Sequence, residues 1–345
     1  MRWLSLSLCC LIFIEASSFT TIAPDRIRMA TYATNINALA IASLVNTHLD
    51  HIRFFARIDP YPTGTKNNFE SAWSTCMFAF SRDYAINKLP TRYDSGNSVL
   101  AGWDYRTPTP NVIGIVGGYL NSYYHETDQA DQGHVNSGIL ALYGNLSFLD
   151  CYLESALWGL FEYTLNKRQI RTDTVRATAK APIQTWQFEP HAEFGYNIHR
   201  SWGRITPFLA LDYPISWQGS YTETGAYPYN AHQNPYFFST LHSEFGFKFH
   251  QFWTYNWGYF LLKQKFASVL DQPFFGSAKL YVPENDNKIY YLDSDTRLVP
   301  LFKLGFDISA IIGKRNPWGL RLSYLGEAGR ARLINKFQFL VDKIF

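Results

Sequence analysis

Three histidines and three glutamates at alternate positions are the residues best able to do chemistry. Glu189, His191 and Glu193 share one side of an extended segment; His242, Glu244 and His250 share one side of another. A histidine held by a carboxylate is a general base with its orienter, the pair that a lipolytic or proteolytic hydrolase uses to activate a hydroxyl. No local nucleophile signature accompanies them. The competing reading is a wall of mixed charge that pairs with itself, and no catalytic residue is assigned. Asp128, Asp131, His134 and His232 offer oxygen and nitrogen donors for a metal, but in no recurring ligand spacing, so neither metal nor cofactor is expected. The net charge of +3 carries no basic tract, which argues against nucleic acid.

The elements that position these residues begin after an export signal. Arg2 precedes an apolar run from Trp3 to Ile14, and Ala16-Ser17-Ser18 supplies small residues for cleavage after Ala16 or after Ser18. The run is too short for a permanent helical span. Cys9-Cys10 follows the bulky Leu8, which does not suit a lipidation site. Residues 1–18 are thus read as signal and 19–34 as a short lead-in. Cys76 and Cys151 then remain, on separate strands, without a disulfide framework.

Beyond the signal the dominant pattern has period two. Trp186, Phe188, Ala192, Phe194, Tyr196 and Ile198 oppose Gln187, Glu189, His191, Glu193, Gly195 and Asn197. Leu241, Phe245, Phe247 and Phe249 oppose His242, Glu244, Gly246 and Lys248. Phe302, Leu304, Phe306 and Ile308 oppose Lys303, Gly305, Asp307 and Ser309, and Leu320 and Leu322 flank Arg321. A β-sandwich in water gives the same alternation; a membrane barrel turns the greasy face to lipid and the charged face to a lumen. The aromatic share of 17%, with no run of eighteen apolar residues after the signal, suits a barrel with aromatic girdles but also allows a large soluble β-protein.

Connection lengths separate the two. Twelve strands are expected, at about 71–81, 98–106, 110–123, 136–147, 150–165, 185–198, 203–214, 237–250, 253–267, 299–311, 317–326 and 336–345. Long links (82–97, 124–135, 166–184, 215–236, 268–298) alternate with short ones (107–109, 148–149, 199–202, 251–252, 312–316), the rhythm of outer loops and periplasmic turns. Ala278 to Val282 is read as an extension into the loop after the ninth strand, because thirteen strands would put the termini on opposite sides. The expected fold is therefore all-β: a transmembrane antiparallel β-barrel of about 12 strands over 70–345, with one N-terminal α-helix in the lumen. That helix, 35–57, is capped by Asn35 and stopped by Pro60, with Ile41, Leu44, Val45, Ile52 and Phe55 on one stripe and Asn46, Asp50, Arg53 and Arg57 on another. At roughly 1.5 Å per residue it is about 35 Å long, enough to thread a bilayer-deep pore. Its charges bar it from lipid.

This order of elements resembles the translocator β-domain of autotransporters, with an aromatic style similar to chlamydial polymorphic outer-membrane proteins. The likeness lies in Ser71-Ala72-Trp73, Gly102-Trp103-Asp104, Glu193-Phe194-Gly195-Tyr196, Ile205-Thr206-Pro207, Tyr221 to Ala226, Ser243 to Gly246, Leu304 to Asp307 and Leu322 to Glu327, from residue 35 to the end. The final strand, with Phe337, Phe339, Val341 and a terminal Phe345, resembles the signature by which barrel-assembly machinery recognises its clients; Lys343 interrupts the pattern. The resemblance implies a helix-plugged pore in the outer membrane of a Gram-negative bacterium, in contact with lipid. It also implies an upstream passenger, for which residues 19–34 leave no room. Self-cleavage at adjacent asparagines is not expected, since Ile36 separates Asn35 from Asn37. Glu189, Glu193, Glu244, Lys248, Lys303, Asp307 and Arg321 are expected to line the lumen and hold the helix through polar contacts. The alternatives are an outer-membrane lipolytic enzyme, or a surface adhesin or porin whose outer loops meet a host ligand.

Overall fold

An extended backbone must pair every N–H and C=O with a neighbour, and in hydrocarbon only a closed sheet does so. The computed structural model describes residues 48–49, 69–83, 91–107, 111–127, 131–171, 175–275, 278–282, 288–292, 298–313, 318–330 and 332–344. The strands in order are β1 (Phe69–Asp83), β2 (Arg92–Arg106), β3 (Val112–Glu126), β4 (Asp131–Phe148), β5 (Cys151–Arg171), β6 (Arg176–Tyr196), β7 (Ile198–Arg200), β8 (Gly203–Asp212), β9 (Ile215–Gln218), β10 (Tyr221–Thr222), β11 (His232–Gln233), β12 (Tyr236–Tyr255), β13 (Gly258–Phe275), β14 (Ala278–Val282), β15 (Lys288–Leu292), β16 (Val299–Ile312), β17 (Trp318–Gly329) and β18 (Arg332–Ile344). They form a closed barrel of 12 antiparallel spans. β8 and β9 share the seventh span, broken at Tyr213-Pro214, where proline has no N–H for the ladder. Closure is made by β18 against β1, paired without a break from Ser71↔Ile344 to Asp83↔Arg332.

Alternation sorts the side chains as a membrane requires. Val99, Ile113, Leu140, Phe245 and Leu322 are each about 60% exposed on the outer surface, while Glu193, Glu244, Lys248 and Lys303 point inward and are buried. Tyr163, Trp186, Trp217 and Phe237 rim the belt on its outer side, and Trp202, Trp253, Trp257 and Trp318 on its periplasmic side.

Several boundaries differ from the sequence reading. The strands run past the belt, so the expected long link 166–184 shrinks to the turn between Arg171 and Arg176. Above the membrane there is no lipid to select apolar residues, so hairpin pairing continues without the alternation that marks a span. Ala278–Val282 belongs to a separate four-stranded sheet of β10, β11, β14 and β15, not to the barrel proper. The turn expected at 251–252 lies instead at Asn256-Trp257, with Tyr255 opposite Gly258. Gly258 sets it: φ is +155°, and a Cβ there would lie 1.9 Å from the Ile311 carbonyl oxygen.

Candidate functional site

The lumen wall has two unlike halves. From β5 round to β18, inward positions carry charges on consecutive strands. Lys248 on β12 donates to Glu193 on β6 at 2.5 Å, and the Tyr152 hydroxyl donates to the same oxygen at 2.7 Å. Lys265 and Lys303 hold Glu244 at 2.7 and 2.6 Å, Lys303 reaches Glu327 at 3.4 Å, and Lys336 reaches Glu327 at 3.2 Å. The chain of charge thus runs β13–β12–β16–β17–β18 with its signs alternating. Lys263 pairs with Asp307 at 3.1 Å, and Arg321 donates to Ser309 at 3.2 Å. Glu189 is fully buried on the same side. All seven residues expected on the wall therefore face inward, six of them in the contacts just described.

The histidines lie in this network too. His191 meets Asp212 and His242 meets Asp271, each at 2.5 Å, and Arg332 caps Asp271 at 2.9 Å. Each pairs with a carboxylate on a neighbouring strand, not with the glutamates proposed as orienters. His134 and Asp131 point to opposite sides of the wall, one exposed and one buried, and His232 meets Thr222 at 2.8 Å; Asp128 lies outside the described residues.

The other half, β18 through β5, carries an apolar patch at mid-height between buried polar groups such as Arg92, Glu154 and Glu162. Trp73, Met77, Leu100, Val116, Leu120, Ile139, Tyr143, Trp158, Leu160 and Leu340 form one buried cluster, joined by Leu49. The seven residues expected on the wall do not extend to this part of it. The sequence carried the sign: Val112 to Val116 and Ile139 to Tyr143 are apolar on both faces, as strands buried on both sides are.

Within this half Asp104 on β2 collects three donors. Ser71 Oγ donates at 2.8 Å, Tyr143 donates to the other oxygen, and His48 Nε2 lies 2.7 Å from Oδ2. His48 and Leu49 are helical and fully buried, with the His48 ring 4.5 Å from that of Trp73. Leu49 falls four residues after Val45 and three before Ile52, on the expected apolar stripe. Asn46, Asp50, Arg53 and Arg57 lie outside the described residues, as does Phe345. Phe337 and Phe339 sit on the lipid face of β18 and Val341 is half-buried there.

At the outer mouth, beyond the belt, the tip between β10 and β11 folds onto the inner wall of β5 and β6. Arg168 grips Glu223 with Nε at 2.9 Å and with Nη2, and Nη2 also donates to the Tyr229 carbonyl at 3.0 Å. Glu223 accepts from the Ala231 N–H at 2.8 Å, and Ala226 packs on Ile170 and Ala179. Asp131 lies directly across from Arg168 on β4. Burial pushes the Asp131 carboxyl up to about 7, and Glu223 adds to this against the pull of Arg92, Arg168 and Asn166.

A carboxyl whose folded value is raised supports the folded arrangement fully below its unfolded value, near 4, and loses that support as pH rises through about 7. The tip is therefore expected to be held more tightly at pH 5 than at pH 8. Hydrogen exchange of the Glu223, Thr224 and Ala231 amides, corrected for intrinsic rates, should show greater protection at the lower pH. Asp131→Asn should flatten that difference; equal protection in the unaltered chain would contradict the assignment.

The fold matches known proteins. The family model for the autotransporter beta-domain matches residues 73–271, more than half of the chain. Among solved structures, the translocator domain of the autotransporter NalP from Neisseria meningitidis aligns with TM-score 0.64 at 14% identity, covering 89% of this chain and 97% of that one. The beta domain of the Bordetella autotransporter Brka aligns with TM-score 0.55 at 13% identity, over 80% of this chain and 99% of that one. The transport unit of AIDA-I from Escherichia coli gives 0.50 at 12% identity, over 87% and 97%. No curated protein matches. The chain belongs to the autotransporter beta-domain family, and is a transmembrane barrel of the Gram-negative outer membrane.

Proposed function

We propose that this barrel is a translocator-type pore whose lumen is closed by the helix over 35–57, behind an export signal at 1–18 and the short segment 19–34, and that it transports without catalysing. The observation that carries this reading is the seat of His48 and Leu49: one against Asp104 and Trp73, the other in the apolar patch of the wall. An amphipathic helix matches a two-sided lumen, with its apolar stripe on β1 to β5 and the polar stripe of Asn46, Asp50, Arg53 and Arg57 turned to the charged half. On this reading Glu189, Glu193, Glu244, Lys248, Lys303, Asp307 and Arg321 line the second half and hold the helix through polar contacts. Assembly machinery would read Phe337, Phe339, Val341 and Phe345 on the last strand by augmenting its edge before closure. The outer loops would then be what a host surface meets.

The test is conductance across a planar bilayer. The full chain should show mostly closed channels, and deletion of 35–57 should open them. Asp104→Ala removes the acceptor for His48, Ser71 and Tyr143; since hydrogen bonds to charged groups are worth about 1.5–3 kcal/mol, the open fraction should rise about tenfold to a hundredfold. Heat-modifiable gel mobility checks that each variant has folded. Unchanged conductance on deleting 35–57 would overturn the plug.

A further inference from the structure

Above the belt, the outward face of the β5–β6 hairpin places like charges directly opposite each other. Lys167 pairs in register with Lys180, and Arg171 with Arg176, and all four side chains are exposed. Same-sign residues facing across an antiparallel pair repel. Among the described residues no carboxylate forms an ion pair with any of them; Arg171 donates only to Gln169, on its own strand. Asp173 lies outside the described residues, and its one negative charge would leave a surplus of three positive charges in any case. The acidic partners at this height, Asp131 and Glu223, are on the inner side of the wall, where Arg168 already answers them.

Next to this patch is a cleft of about 280 Å³ lined by Tyr123, Gln132, Gly133, His134, Leu165 and Lys167. The Tyr123 and His134 rings are 4.8 Å apart at its side, and the row continues through His125 and Tyr93 to Arg82. Aromatic faces beside amide, imidazole and ammonium groups suit a sugar ring that carries anions. Leu165 is also the last apolar residue of the lipid face on β5, two residues before Lys167. At roughly 3.3 Å per residue along a strand tilted by about 40°, the lysine stands about 5 Å above Leu165 and just beyond the aromatic rim of Tyr163 and Trp186, at the level of lipid headgroups.

We infer that the outward face of β3 to β6 just above the belt is a binding site for the phosphorylated sugar headgroup of an outer-leaflet glycolipid. Phosphate lies between Lys167 and Lys180, with Arg171 and Arg176 able to clamp a second one bidentately. The sugar ring rests in the Tyr123–His134 cleft, and the acyl chains run down over Leu165 and Trp186. Relief of cross-strand repulsion is what makes the anion favourable at this spot, and the hairpin is stiffened by it.

The full chain, refolded in phosphatidylcholine nanodiscs containing a minor fraction of bisphosphorylated lipid A, is assayed for retained glycolipid by native mass spectrometry and for thermal stability. The expected result is a one-to-one adduct and a higher melting temperature, neither given by dephosphorylated lipid A or by phosphatidylglycerol. Lys167→Gln with Lys180→Gln should weaken retention roughly tenfold or more, the scale of two charge-assisted contacts. Arg200→Gln, an exposed cation at the periplasmic end, should leave it unchanged. Heat-modifiable mobility confirms folding of each variant. Equal retention of phosphatidylglycerol, or insensitivity to the double lysine change, would overturn the site. So would stronger capture of a soluble sulfated polysaccharide than of lipid A, since the face would then be a polyanion surface and not a lipid site.

Discussion

Replacing Glu193 with alanine is expected to destabilise the folded barrel by about 3–5 kcal/mol, the cost of leaving a buried charge without its partner. Lys248 is 1% exposed, its ammonium is 2.5 Å from the Glu193 carboxylate, and the Phe208 ring lies 4.7 Å away from it. Removing the carboxylate therefore strands a cation among rings and takes the acceptor from the Tyr152 hydroxyl. The double change Glu193→Gln with Lys248→Met should recover most of the loss, because an ion pair removed together leaves no orphan. Urea unfolding in lipid vesicles, read by tryptophan emission, gives the full cycle. A single change that costs under about 1 kcal/mol, as a solvated pair would, would mean that this half of the lumen is open water at the height of Glu193.

The second large effect comes from the opposite face. Phe245 lies in the middle of β12, exposed on the outside, with Leu209 and Ser268 as its cross-strand neighbours. Phe245→Arg should cost about 2–4 kcal/mol in a bilayer, falling to about 0–1 kcal/mol for the same change at Phe237 or Trp253 near the two interfaces. Phe245→Leu should be nearly neutral, because fluid lipid leaves no cavity. Were Phe245 packed against a second protein layer, truncation to leucine would itself be costly and the dependence on depth would vanish.

The spans were legible because lipid on one side and charge on the other impose period two for as long as the membrane lasts. Trp186 to Asn197 and Leu241 to Phe249 show it residue by residue. Where one of those constraints lapses, so does the pattern. On the outer extensions Lys167, Arg171 and Lys180 replace the apolar side, and the strand ends read as loop. At mid-height in β3 and β4 the lumen itself is apolar, so Val116, Leu120 and Ile139 could not be assigned a side by polarity. Asp104 and His48 meet only through the closed barrel, 56 residues apart, and no local spacing marks their contact. The outer-mouth grip of Arg168 on Glu223 joins residues 55 apart for the same reason. Signs and strand faces are local properties; which charge answers which depends on barrel closure.

The central claim is that hydrocarbon is the solvent of one face of each strand and the lumen that of the other. Nitroxide labels placed one at a time from 242 to 249, with Cys76 and Cys151 replaced by alanine and the barrel in lipid vesicles, measure this directly. Labels at 245, 247 and 249 should collide freely with oxygen and little with a water-soluble nickel chelate. Those at 242, 244 and 248 should be immobile and shielded from oxygen. Uniform accessibility along the strand, or the opposite alternation, would contradict the account.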